Sequence, residues 1–170
     1  MNENFFITTP IYYPSGKPHM GHAYSSIVAD IFARFKRLNG YNVLFLTGTD
    51  EHGQKVEKAA SDKGLSPQSF TDEVSQNFRD LTAQMNFSND DFIRTTEQRH
   101  KLACQEIWLR LQERGHIRLG NYAGWYSVRD EAFFTKTEVV DGKAPTGAPV
   151  EWVEEPSYLF NLSEWQQPLL

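Results

Sequence analysis

The chain has 170 residues, 39% of them hydrophobic, 14% aromatic and 23% charged, with a formal net charge of −5 at pH 7. That suits a globular domain with a sizeable core, or one domain and the start of another, and excludes a surface that grips nucleic acid throughout. A single cysteine, Cys104, excludes an intrachain disulfide and suits a reducing, cytoplasmic setting, and the sequence reads as free of signal peptide, transit peptide and membrane span.

Phe5 to Thr8 is a short apolar, β-branched run that predicts a strand, followed by a loop carrying Pro10, Pro14, Gly16 and Pro18. From Gly21 the apolar residues take helical spacing, with Ile27, Ile31 and Phe35 on one stripe and Val28 and Phe32 beside them. Asn39-Gly40 ends that helix, and Val43 to Leu46 forms a second strand. A polar helix runs to about Gly64, and Ser66-Pro67 opens another, whose apolar line is Phe70, Val74, Leu81 and Met85 with Phe78 adjacent. Phe92 and Ile93 sit in a short extended piece. A fourth helix carries Cys104, Ile107, Trp108 and Leu111 and stops near Gly115.

This order predicts an α/β fold: residues 1–115 form the first half of a Rossmann-like, doubly wound parallel sheet. Residues 116–170 then begin a β-rich insertion, with His116 to Ser127 short-stranded around a Gly120-Asn121 turn and a hairpin at Asp141-Gly142. The last residues, from Leu162, read as an element just starting. A parallel sheet that stops there leaves apolar faces uncovered, so the expectation is a piece of a longer enzyme or half of a split one.

Two segments carry chemistry. Tyr12 to His22 lies between the first strand and its helix, where a helix N-terminus offers unpaired N–H groups and a partial positive charge to phosphate. His19 and His22 are three apart, so both rings point to one side of the first turn, and each can donate a hydrogen bond to a phosphate oxygen. Gly21 between them leaves room for a flat base. The second segment, Gly48-Thr49-Asp50-Glu51-His52-Gly53, falls at the carboxyl end of the second strand, where open α/β sheets bind ligands. Its two carboxylates suit an ammonium or a magnesium ion. Asp50 is the better candidate, with Glu51 expected as a solvated side chain.

His19-Met20-Gly21-His22 resembles the first signature of the class I aminoacyl-tRNA synthetases. The stretch Thr9 to Tyr13, the run Gly48 to Lys55, Phe92 to Thr96, and the late pieces Val150 to Trp152 and Leu159 to Ser163 are similar to the methionyl branch of that family. The resemblance implies that His19, Gly21 and His22, with Lys17 nearby, bind ATP, and that His19 and His22 steady the transition state at phosphorus. It implies that Asp50 pairs with the methionine ammonium, while Ile11, Tyr12 and Tyr13 line the amino-acid pocket. An ordinary packing role for Tyr13 stays open. The implied partners are L-methionine, ATP with Mg2+ and tRNA(Met), with no membrane and with the remaining half of the enzyme required.

The chain departs from the family in two ways. Where many relatives carry a zinc knuckle, it has Ser127, Asp130, Ala144 and Thr146, so the expectation is no structural zinc and no metal ligand set. Packing of Trp125, Tyr126, Phe133 and Phe134 is expected to hold the insertion instead. The second family signature, a Lys-Met-Ser-Lys-Ser loop, is missing from these residues, so this stretch alone is expected to be inactive. A non-catalytic binding module is the main rival. A nucleotidyltransferase would lack the insertion, and a dinucleotide dehydrogenase would need a glycine fingerprint that this sequence lacks.

Overall fold

The computed structural model describes residues 3–170. They form two compact units, one through Cys104 and one from Gln105 to Leu170. The first is built from β1 (Asn4–Thr8), α1 (Met20–Leu38), β2 (Asn42–Thr49), α2 (Gln54–Asp62), α3 (Pro67–Gln84), β3 (Asp91–Arg94) and the start of α4 (Gln98–Glu113). Its three strands are parallel in the order β1-β2-β3, with Phe6 opposite Leu44 and Gly48 opposite Ile93. Gly48 is required there, because a Cβ on it would lie 2.0 Å from the Ile93 carbonyl oxygen.

The helix ends follow the sequence signals. Ser66 accepts from the Ser69 amide at 3.1 Å with Pro67 in the first turn of α3. At the end of α1, Gly40 takes φ +82°, its amide reaching Arg37 and that of Tyr41 reaching Lys36, the paired bonds of a Schellman cap.

The apolar stripe of α1 lies on the other side from the face it buries. The buried residues are Ser26, Ala29, Asp30 and Ala33, and Ala29 and Ala33 pack on Phe45 with Ile7 and Val43 beside it. Small side chains let the helix backbone come close to the sheet. Ile31, Phe32 and Phe35 are more than half exposed in consequence. Along β2, Phe45 meets α1 while Thr49 hydrogen-bonds Ser75 of α3, and residues four apart on a strand share a face. Both crossover helices therefore cover one side of the sheet. Phe6 and Leu44, partners on the opposite side, are 61% and 52% exposed. A second cluster joins Val56 and Ala60 of α2 to Phe70, Val74 and Phe78 of α3, together with Phe92 and Tyr12.

Asp30 fixes α1 to the approach of β3. Its carboxylate accepts from the amide and hydroxyl of Ser88 at 2.6 Å and from Arg34 at 2.7 Å. Burial opposes its ionisation, but these bonds from Ser88 and Arg34 hold the carboxyl below its ordinary value.

In the second unit, β4 (Ile117–Ser127) is the centre of an antiparallel sheet in the order β5-β4-β6, with β5 at Ala132–Phe134 and β6 at Glu151–Phe160. The turn expected at Gly120-Asn121 does not form. β4 runs straight through, with Gly120 opposite Ser157, and the glycine serves packing: a Cβ on it would lie 2.8 Å from Leu159 Cδ1. The Asp141-Gly142 hairpin is present, both residues at positive φ and Val140 and Lys143 exchanging two 3.0 Å bonds. After β6 come a 3-10 turn at Leu162–Trp165 and a short α5 at Gln166–Leu169. No helix among the described residues is long and apolar enough to cross a membrane.

The knuckle positions are joined by hydrogen bonds. Ser127 and Thr146 donate to the same oxygen of Asp130, the first at 3.0 Å, and Arg129 donates to the Thr146 carbonyl at 2.8 Å. Two hydroxyls, a carboxylate and the methyl of Ala144 do not fit the thiolate and imidazole set of a structural zinc. Aromatic contacts lie beside them, with Trp125 edge-on to Trp152 at 5.4 Å and Tyr126 tilted against Phe133 at 4.8 Å.

The two faces of α1 predict opposite sensitivities. Ala33, fully buried, should lose about 1–3 kcal/mol of stability on change to Leu, through overpacking. Ile31→Ala in this chain should stay within about 0.5 kcal/mol, as for an exposed position. Thermal unfolding of the two variants checks this, and the reverse order would mean that the stripe is the packed face.

Candidate active site

The loop after β1 rejoins the sheet at its carboxyl edge. Tyr12 pairs with Thr49: its amide donates to the Gly48 carbonyl at 2.8 Å, and its carbonyl accepts from the Asp50 amide at 2.8 Å. This pairing lies beyond the end of β1, one residue out of step with the register that sets Thr8 opposite Leu46, and it places residues 11–13 beside residues 48–50. Ile11 and Tyr13 flank Tyr12 on the exposed side, at 42% and 40%. The Tyr13 hydroxyl reaches Gly53, where a Cβ would meet it at 3.2 Å. Gly53 itself takes φ +105°, open only to glycine at low cost.

Tyr12 lies beneath the site. Its ring is 2% exposed and stacks on Phe78 at 4.9 Å, and its hydroxyl meets Ser26 on α1. The ring therefore supports the surface above it and offers it no wall. His22 stands edge-on to both rings, 5.4 Å from Tyr12 and 5.1 Å from Phe78.

The two histidines cap α1. His19 is the N-cap, and its Nδ1 accepts from the Gly21 amide at 3.1 Å. His22 returns the contact, its Nδ1 accepting from the His19 amide at 3.2 Å. This is a capping box made by imidazoles where Ser or Thr and Glu usually serve. Three of the backbone N–H groups expected to be free are thus occupied: those of Gly21 and His19 by the rings, and that of His22 by the His19 carbonyl at 3.0 Å. The imidazoles keep the far edge of each ring for an anion. An Nδ1 that accepts leaves the proton of a neutral imidazole on Nε2, so each ring presents an Nε2–H donor. The rings lie 3.8 Å apart, centroid to centroid, aimed as a pair. Gly21 is needed for this arrangement, since a Cβ would sit 2.9 Å from His19 Cε1. Lys17 is exposed in the preceding loop.

The neighbouring carboxylates divide sharply. Among the described residues the Asp50 side chain makes no hydrogen bond or ion pair, and it is half-buried at the strand end. Glu51, expected in solvent, is 3% exposed and saturated. Its Oε1 accepts from Arg94 at 2.7 Å and Thr49 at 2.9 Å, and its Oε2 from Thr96. A buried carboxylate must be paired, and this one has an arginine and two hydroxyls. The single free carboxylate suits an ammonium better than a divalent metal, and no group of three or more His, Cys, Asp or Glu among the described residues is arranged to hold a metal ion. Arg94, Thr96 and Ser26 had no individual role assigned from sequence, Glu51 was expected in solvent, and Phe78 was expected only as a packing residue of its helix. The only signal was the run Phe92 to Thr96, which marks resemblance without showing what it touches.

A family model described as tRNA synthetases class I (M) matches residues 5–156. The chain belongs to the class I tRNA synthetases. Among similar proteins, the methionine–tRNA ligase of Rickettsia conorii is 62% identical over all of this chain, which covers 34% of that protein. The methionyl-tRNA synthetase of Mycobacterium tuberculosis, solved bound to methionyl-adenylate, is 47% identical with a TM-score of 0.87, over 98% of this chain and 34% of that one. The LeuRS–tRNA–LeuAMS complex of Agrobacterium radiobacter K84 is 25% identical with a TM-score of 0.79, over 99% and 22%. The class I synthetase chain thus spans about a third of the length of the curated relatives it matches.

In this class I synthetase chain, burial lowers the pKa of His22 from 6.5 and the charge of His19 lowers it further. A depressed histidine contributes stability that is present above its unfolded value and is lost as pH falls through the folded one. Protonation also removes the Nδ1 lone pair that caps the helix. An NMR titration of His22 should therefore give a value below 6.5, with faster exchange of the His19 amide once the ring is charged. A value above 6.5 would contradict the capping arrangement.

Proposed function

We propose that residues 1–170 carry the methionine site and the first half of the ATP site of a methionine–tRNA ligase. The observation that carries this reading is Tyr12, whose ring touches His22 of the paired imidazole cap and whose carbonyl binds the amide of Asp50, the residue with the unengaged carboxylate. Asp50 takes the methionine ammonium in a charge-assisted bond, with Ile11 and Tyr13 beside it for the thioether side chain. The Nε2–H groups of His19 and His22 hold ATP phosphate oxygens, Lys17 adds charge, and Gly21, with no side chain, offers bare backbone to the base. Tyr12 holds the pocket floor.

Two steps follow from such binding. A methionine carboxylate oxygen attacks the α-phosphorus of ATP in line, and the bond to the bridging oxygen breaks to release pyrophosphate. A hydroxyl at the tRNA(Met) 3′ end then attacks the carbonyl of the adenylate, and AMP leaves. Catalysis is positioning and electrostatic stabilisation, since no protein atom becomes covalently bound. Magnesium travels with the ATP phosphates. We place the whole protein in the cytoplasm with the other translation enzymes, and assign the remaining ATP contacts to a further part of the synthetase, in the same polypeptide or a separate one.

ATP–pyrophosphate exchange on the complete native protein, with methionine, leucine and isoleucine supplied in turn, tests this. Exchange should depend on methionine alone. Asp50→Ala should raise the methionine KM by about 10- to 100-fold, as for loss of a hydrogen bond to a charged group. His22→Ala should lower kcat by about 10²–10³, as for loss of a donor to developing charge. No exchange with any amino acid from folded protein would favour a non-catalytic binding module.

A further inference from the structure

Asp50 and Glu51 are adjacent, yet one carboxylate is free and the other is held by three donors. The bonds around Glu51 form a stitch between the ends of β2 and β3. The Thr95 amide donates to the Thr49 carbonyl at 3.2 Å, and the Glu51 amide donates to Thr95 Oγ1 at 2.8 Å. His52 Nε2 lies 3.3 Å from the Thr95 carbonyl oxygen. Arg94 holds Glu51 with its Nε and reaches Asp72 on α3 with its other end, at 2.6 Å. On the far side, the Asp50 amide is bound to Tyr12. Asp50 is therefore clamped by its own backbone in one direction and by its neighbour's side chain in the other.

Just past the end of β2 the Asp50 amide points to Tyr12 on the β1 side and the Glu51 amide to Thr95 on the β3 side, the alternation of extended backbone, in which consecutive side chains also point to opposite sides. A Glu51 locked inward forces Asp50 outward. Rotating the strand end to bury Asp50 would break the bonds from Thr49, Arg94 and Thr96 and leave a charge unpaired. We propose that Glu51, with Arg94 as its counter-ion, is the positioning residue that presents the Asp50 carboxylate to the ammonium of the amino-acid substrate. This rests on the role given to Asp50 above. The imidazole pair sits on a different element, capped by its own backbone, so the stitch bears on the amino acid and leaves ATP untouched.

The test is steady-state ATP–pyrophosphate exchange by the complete native protein and its Glu51→Gln, Thr96→Val and Asp50→Asn variants, with thermal unfolding alongside. Glu51→Gln keeps the shape but removes the charge that holds Arg94. It should raise the methionine KM by about tenfold, equal to about 1.4 kcal/mol, with ATP KM and kcat within about twofold. Thr96→Val removes one hydroxyl and leaves the ion pair, and should give the same split at about threefold. If Asp50→Asn raises the methionine KM and neither of the other variants does, the positioning role is wrong while the ammonium site stands. If Asp50→Asn leaves methionine KM unchanged, the role of Asp50 fails first. A loss spread over kcat and both KM values, in step with a lower unfolding temperature, would mean that the ion pair is structural only.

Discussion

The site depends on two backbone hydrogen bonds that extend the sheet past its last regular residue. Tyr12 lies alongside Thr49, its amide bonded to Gly48 and its carbonyl to the amide of Asp50. Without this bridge the proline-rich loop between β1 and α1 would have no fixed relation to the end of β2. The histidines belong to one side of that bridge and Asp50 to the other. Local conditions make the bridge possible: Gly48 lets β3 approach, and the Tyr12 ring is stacked on Phe78 of α3 with its hydroxyl at Ser26 of α1, so the chain has a fixed height above the core. A parallel sheet leaves unpaired groups at its carboxyl edge, and here two are used to bring the first loop and the second strand together.

Around that bridge the polar groups of the candidate site are oriented by polar bonds. Two imidazoles serve as helix caps, which fixes their rotation and selects the nitrogen that carries the proton. A serine or aspartate would cap as well and offer nothing outward. Histidine is a poorer cap by propensity but has a second nitrogen on the far side of the ring, so the same side chain closes the helix and presents a donor. The departure from the usual capping residue is the kind of local-rule violation that a functional site produces.

Much of this was legible in the sequence. The strand–helix–strand order, the caps at Ser66 and Gly40, the Asp141-Gly142 hairpin and the pair His19 and His22 rest on local rules that act over a few residues. What was not legible depends on residues far apart. Glu51 was expected in solvent because a charged side chain after a strand usually is, and only Arg94 and Thr96, more than forty positions on, bury it. Gly120 reads as a turn beside Asn121, and only the Leu159 side chain across the ladder makes it a packing glycine. The face of α1 misleads for a related reason. Periodicity locates an apolar stripe, but it does not say that the sheet is met by alanines on the other side.

The alanine contact also explains how a site can be held firmly on a helix whose large apolar residues face away from this part of the chain. Close approach at Ala29 and Ala33 gives little buried area per residue, so apolar packing alone would fix α1 weakly. Polar bonds supply the missing constraint at both ends. Near its start Ser26 meets the Tyr12 hydroxyl, and further along Asp30, Arg34 and Arg37 bind the segment from Asn86 to Asp90. Hydrogen bonds are directional where apolar contacts are not, so they fix the rotation of the helix about its axis. That rotation determines where His22 points, and it is therefore set within residues 12–90, without help from Ile31 and Phe35.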